Sequence, residues 1–247
     1  MREQIIREIK KGISIPKICK KLQIGKSTVY YHYKKLKGKK YPKTIIPTNQ
    51  RILGEFIGIF AGDGNRYYWK KNGAYSIRIY LHSIDDLEYS KYIAKLIEDN
   101  FNRSVSKYDD KKFNKTTLKF YSKDVFYLLE DYLDLSQRKT KDLQIKRDIN
   151  TLSKEFQKAF IRGIIDTDGH YKNDGRISIS LIALKMIQQI SNMLKALKIE
   201  NKTYKIKKNP PENDLYELII PRRFAPTYVS IIGFSNKRKN KSAPAEI

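Results

Sequence analysis

One stretch of this chain occurs twice, 105 residues apart, and the duplication restricts the fold more than any other feature. Residues 48–64 read TNQRILGEFIGIFAGDG and residues 153–169 read SKEFQKAFIRGIIDTDG. Thr48 aligns with Ser153 as a helix N-cap, Gly58 with Gly163, and Asp63-Gly64 with Asp168-Gly169. Each copy predicts a capped apolar helix of about fourteen residues that stops at Asp-Gly. The succession after it repeats as well. Ile77, Ile79 and Leu81 alternate with Ser76, Arg78, Tyr80 and His82, as Ile177, Ile179 and Leu181 alternate with Arg176, Ser178 and Ser180, the period of a strand with one buried face. Amphipathic helices are expected over 85–100 and 183–197. Further strands are expected near 104–107 and 116–121, and near 203–207 and 215–220. A short helix closes each half, near 123–132 and 224–232. The prediction is an α+β fold, αββαββα in each half, packed about a pseudo-twofold axis.

Charge marks off a separate module in front of the repeats. The chain carries a net charge of +25, and its first fifty residues hold fourteen basic and two acidic side chains. About half the excess therefore sits in a fifth of the chain. Excess cationic charge with eighteen tyrosines points to a polyanionic partner, nucleic acid first. The spacing of Ile5, Ile9, Ile13, Ile18, Leu22, Val29, Tyr33 and Leu36 fits three short helices. Gly12 would end the first, Pro16 open the second, Gly25 lie in a tight turn, and Ser27 or Thr28 cap the third. Residues 39–47, with two prolines and no helical period, read as a linker. The expected division is 1–38 for the basic module, 48–150 for the first repeat and 151–247 for the second.

Residues 15–36, IPKICKKLQIGKSTVYYHYKKL, resemble the helix-turn-helix of resolvases and invertases. The resemblance implies a reading helix in the major groove, with Lys26, Thr28, Tyr30, Tyr31 and Lys34 as contacts. FIGIFAGDG at 56–64 and IRGIIDTDG at 161–169 resemble the two motif copies of LAGLIDADG homing endonucleases, a likeness that extends over roughly residues 48–240. It implies that the motif helices pack together at the centre beneath a DNA-binding saddle of strands. Gly58, Gly62 and Gly163 then lie where the helix backbones must approach closely.

In such an arrangement Asp63 and Asp168 emerge together at two helix C-termini. Helix dipoles and mutual repulsion make that unfavourable without a cation, and oxygen-only ligands favour Mg²⁺, with Mn²⁺ as a substitute. The family pattern adds the carbonyls of Gly62 and Thr167 as metal ligands and one basic residue per half to polarise water, here Lys139 and Lys239. The activity implied is site-specific hydrolysis of double-stranded DNA by a monomer. Arg78, Tyr80 and His82, then Arg176, Ser178 and Ser180, are the expected base readers, with Lys107, Lys119, Lys205 and Lys207 extending the surface.

Other chemistries lack their residues. Cys19 stands alone, which excludes a disulfide framework or a cysteine zinc site, and His32, His82 and His170 have no zinc spacing. Gly25-Lys26-Ser27 lacks the glycine spacing of a phosphate loop. The apolar run 52–61 is interrupted by Glu55 and is too short to span a membrane. No signal peptide is recognisable and no intein splice residues frame the repeats, so the expectation is a free-standing cytoplasmic, nucleoid-associated protein. Two rivals stay open: a DNA-binding regulator without cleavage, and a maturase acting on intron RNA.

Overall fold

The computed structural model describes residues 1–38, 43–135, 139–209 and 211–241. They fall into two compact units, Met1–Lys43 and Thr44–Ile247.

The first unit has three helices, α1 (Arg2–Lys10), α2 (Ile15–Leu22) and α3 (Lys26–Lys37). Ile5, Ile9, Ile15, Ile18 and Val29 form its core, with Tyr30 and Tyr33 packed partly against it. Gly12 follows α1 at φ +75°, where a side chain would be strained, and Pro16 occupies the first turn of α2 behind Ser14. Gly25 itself is the N-cap of α3, which has no side-chain cap. Ser27 and Thr28 therefore sit within its first turn rather than capping it. The left-handed residue of the α2–α3 turn is Gln23, at φ 50°.

The second unit contains the duplication. The first repeat runs α4 (Gln50–Asp63), β1 (Gly64–Trp69), β2 (Ala74–His82), α5 (Leu87–Phe101), β3 (Ser106–Asp110), β4 (Lys115–Tyr121) and α6 (Lys123–Tyr132). A short helix, α7 (Lys139–Asp142), lies in the connection. The second repeat runs α8 (Lys154–Asp168), β5 (Gly169–Tyr171), β6 (Ile177–Leu181), α9 (Leu184–Ala196), β7 (Lys202–Ile206), β8 (Leu215–Ile220) and α10 (Ala225–Ile231), and α11 (Lys237–Lys241) follows it. Each repeat is αββαββα, with its strands in an antiparallel sheet of the same order, β1-β2-β4-β3 and β5-β6-β8-β7. Ser153 caps α8 by accepting from Phe156 N, whereas α4 is capped by Asn49, one residue after Thr48. Residues 44–47 belong with the second unit rather than a free linker. Thr44 is buried, its hydroxyl 2.9 Å from that of Ser122, and Ile45 N donates to Phe101 O.

The two motif helices α4 and α8 lie at the centre of one continuous apolar core, with Phe56, Ile57, Phe60, Phe156, Phe160 and Ile164 fully buried. They pack backbone against backbone. A Cβ on Gly58 would overlap the Phe160 carbonyl oxygen, one on Gly163 that of Glu55, and one on Gly54 that of Phe156. Glycine here answers to the facing helix rather than to φ.

Gly58→Ala or Gly163→Ala must therefore push the helices apart. Each is expected to cost about 1–3 kcal/mol or more in urea unfolding. Gly25→Ala, which meets Ser27 Oγ at 3.7 Å and no facing backbone, should cost about 1 kcal/mol, the loss of a favourable N-cap residue, with no displacement of helices.

Candidate functional site

The two Asp-Gly ends meet where the central helices finish. Asp63 is half-buried and Asp168 exposed, each the last residue of its helix. A Cβ on Gly62 would collide with Thr167 Oγ1 and stand 3.0 Å from Asp168 Oδ2, so the end of α4 touches the residues that carry Asp168. Thr167 turns its hydroxyl back onto the carbonyls of Gly163 and Ile164. A pocket of about 320 Å³ opens beside the junction, lined by Ala61, Gly62, Asp168, Leu143, Ser180 and Leu215. A larger one, about 580 Å³, is lined by Asp134, Lys141 and Asp214 and includes neither motif aspartate, so size alone does not mark the site.

Neither helix has a basic residue in its own last turn. At α8 the cation comes from elsewhere. Lys239 Nζ donates to the carbonyls of Ile165 at 2.6 Å, Thr167 at 3.1 Å and Gly169 at 2.6 Å. Lys239 is 6% exposed, and burial pulls its ammonium pKa down to about 8. Its three protons all go to main-chain oxygens, which leaves none for a water. Lys239, expected to polarise water, lies against the carbonyls at the C-terminal end of α8. The side chain of Lys139 lies outside the described residues.

A buried polar network backs the junction. Arg162 on α8 donates to Glu55 Oε2 on α4 at 2.5 Å. Burial works against the Arg162 charge, but Glu55 outweighs it and holds the guanidinium above its ordinary pKa. Glu55 Oε1 also accepts from Tyr92 OH at 2.8 Å and Ser235 Oγ at 2.5 Å, and burial pushes Tyr92 up to about 12. Asp166, 1% exposed, accepts from Ser235 N at 2.8 Å through Oδ2, while Oδ1 has no hydrogen-bond partner among the described residues. Burial raises its pKa to about 7 despite Ser235 and Lys239, which favour the charge. None of these residues was expected from sequence to take part in the site, although Glu55 marks the break in the apolar run 52–61. The available signal was a charge in mid-motif on each apolar helix, Glu55 on one and Arg162 on the other.

Strand register sorts the expected DNA contacts. On the first sheet Asn65, Arg78, Lys119 and Ser106 lie in one row across the strands, with Tyr67, Ser76 and Tyr121 in a parallel row. Tyr80 and Thr117 share that face, opposite the buried Ile77, Ile79, Leu118 and Phe120. The face also presents Tyr67, Trp69, Tyr108 and Tyr121, all exposed and none anticipated. Lys107 pairs with Leu118 and so belongs to the other face, because β3 begins at Ser106 and the alternation is set from there. His82 is engaged at the end of β2, where Asp85 N donates to its Nδ1. On the second sheet His170, Ser178 and Ser180 share the outer face, but Ser178 is buried. Lys205 pairs across from Tyr216 on the helix-side face and bonds Asp214 at 2.7 Å, Lys207 lies past the end of β7, and Arg176 is held by Asp174. The second sheet instead offers Lys202 and Tyr204. In the first unit Lys26, Thr28, Tyr31 and Lys34 are exposed on α3, while Tyr30 is half-buried against the core.

Comparison with known proteins agrees with this architecture. Residues 155–233 match the family model of the LAGLIDADG-like domain. The chain is 26% identical over 202 residues to an uncharacterized protein of Methanocaldococcus jannaschii, covering 76% of this chain and 69% of that one. The homing endonuclease I-DmoI in complex with DNA and Ca superposes with a TM-score of 0.57 at 20% identity, over 74% of this chain and 89% of its own. I-WcaI bound to its DNA recognition sequence gives 0.52 at 11%, over 81% and 89%. The N-terminal LAGLIDADG domain of WhiA gives 0.50 at 15%, over 78% and 88%. The fold is that of LAGLIDADG homing endonucleases. No helix among the described residues is long and apolar enough to cross a membrane.

Asp166 sets a pH dependence whose sign is fixed. Its folded pKa is raised to about 7 from an ordinary carboxylate value, so the folded state holds the proton more tightly than the unfolded chain. The contribution is complete below about pH 4 and is lost as pH rises through about 7. Asp166→Asn is expected to flatten the melting temperature of the metal-free protein between pH 4 and 7, read by differential scanning fluorimetry.

Proposed function

We propose that the protein is a site-specific DNA endonuclease that cuts both strands of a duplex, using Asp63 and Asp168 with a divalent cation, Mg²⁺ first. The observation that carries this reading is the junction itself: two helices end in aspartates, packed so closely that Gly62 has no room for a side chain against Thr167 and Asp168. Two carboxylates at helix C-termini repel each other and oppose both dipoles, which a shared cation relieves. The donor set is oxygen only, the Asp63 and Asp168 carboxylates with the Gly62 and Thr167 carbonyls, and suits a hard cation. Thr167 O accepts from Lys239 at 3.1 Å, and a carbonyl oxygen keeps a second lone pair. Among the described residues no group of three or more His, Cys, Asp or Glu side chains is assembled, so the two carboxylates and two carbonyls are the protein groups that would hold the cation. When bound, the cation activates water and stabilises the departing oxygen.

The rest of the chain places the duplex. Arg78, Tyr80, Lys119, Tyr67, Trp69 and Tyr121 give the first sheet a cationic, aromatic face for a groove. The first unit acts as a helix-turn-helix, with Lys26, Thr28, Tyr31 and Lys34 reaching DNA from α3. The first turn of that helix holds no acidic residue, so its dipole and Lys26 both favour phosphate. DNA and divalent ions in the I-DmoI crystals, with Mn as well as Ca, support the same reading. A regulator that binds without cutting is the second reading, favoured by the separate three-helix unit.

Incubating the full chain and Mg²⁺ with a randomised duplex library should give specific double-strand breaks. Asp63→Asn and Asp168→Asn should each slow cutting about a hundredfold or more. Unchanged cutting in either variant removes the assigned mechanism; tight, metal-independent binding with no cutting favours the regulator. Lys26→Ala and Lys34→Ala should each lower the salt slope of binding by about one, measured by fluorescence anisotropy.

A further inference from the structure

We infer that Lys239 is a positioning residue, whose buried ammonium fixes the end of α8 and thereby the direction in which Asp168 points. The consequence for cleavage rests on the endonuclease reading; the structural role stands without it. The three carbonyls it binds bracket Asp168: Ile165 and Thr167 precede it and Gly169 follows. A helix end carries partial negative charge, and α8 has no basic residue in its last turn, so one fixed ammonium neutralises what the helix leaves exposed. The same bonds hold the Asp-Gly step, where the chain turns from helix into β5 and where a freely moving carboxylate would lose its aim.

Lys239 is itself held by a strap over residues 235–239 that draws on both repeats. Ser235 donates from its main chain to Asp166 and from its hydroxyl to Glu55. Asn236, buried, donates to Asp86 Oδ1 and Asp166 O, and Arg238 pairs with Asp85 and Asp86. Glu55, Asp85 and Asp86 come from the first repeat and Asp166 from the second. The strap therefore ties the end of α8 to the opposite half of the fold, with Lys239 as its last anchor. A lysine with one proton on each of three carbonyls acts through Asp168 and not on the water.

The test uses the full chain with Lys239→Met and the milder Lys239→Arg, and Lys237→Ala as an exposed control in the same strap. In metal-free protein, amide hydrogen exchange over residues 166–171 should quicken at least tenfold in Lys239→Met and less in Lys239→Arg, with residues 60–66 unchanged. Lys237→Ala should match the parent. On target DNA, Lys239→Met should lower kcat at least tenfold, with the strand preference of Asp168→Asn and KM within about twofold. Unchanged exchange in Lys239→Met overturns the inference; unchanged exchange with lost cleavage would instead assign Lys239 to the reacting water. If Lys239→Met does not fold, Lys239→Arg is read against the same two outcomes. If the parent cuts no DNA, the exchange result still decides the role of Lys239, so failure of the endonuclease reading is distinguishable.

Discussion

The close approach of α4 and α8 is the constraint on which the rest of the second unit depends. Gly54, Gly58 and Gly163 let two helix backbones meet without side chains between them, and Phe56, Phe60, Phe156 and Phe160 fill the space around the contact. Such an interface has little freedom to slide, since a shift along either axis puts a side chain where a carbonyl now sits. Both sheets and both outer helices are fastened to this pair, and the end of α4 at Gly62 meets Thr167 and Asp168 because the two helices end together.

A helix contact made of glycine and aliphatic groups would be nearly symmetric, and the buried charges make it directional. Glu55 on one helix meets Arg162 on the other, where breaking the pair would strand a charge at a cost of about 3–5 kcal/mol. The same Glu55 also accepts from Tyr92 and Ser235, so the ion pair is the centre of a network rather than an isolated bond. Asp166, two residues before Asp168, receives the strap that carries Lys239. The polar groups behind the junction thus convert helix packing into placement of the functional end.

The two repeats share a topology but present different surfaces. The outer face of the first sheet is cationic and aromatic, with Arg78, Lys119, Tyr67, Trp69 and Tyr121. That of the second carries Ser180, Glu217, Ile219 and Tyr204, and Glu217 is paired with Lys172. A duplicated scaffold with unlike faces suits an asymmetric partner, because each half can recognise its own stretch while the central helices keep their common geometry.

The duplicated motif, its Asp-Gly endings and the alternation of Ile77, Ile79 and Leu81 were enough to determine the αββαββα order and the basic module ahead of it, while the pairing of the motif helices was implied by the resemblance to LAGLIDADG proteins. These are local patterns: period, spacing and charge are properties of neighbouring residues. Strand register was less legible, because the ends of β3 and β7 are set by the strands they pair with, and Lys107 and Lys205 fall on the helix-side faces. The role of Lys239 was not legible at all. Its charge is visible in Lys237-Arg238-Lys239, but only folding carries it about seventy residues back to the end of α8, within reach of Ile165, Thr167 and Gly169. Sequence determined which groups stand at the helix ends; tertiary structure decided which cation answers them, because hydrogen bonds between distant segments depend on distances that no pattern along the chain records.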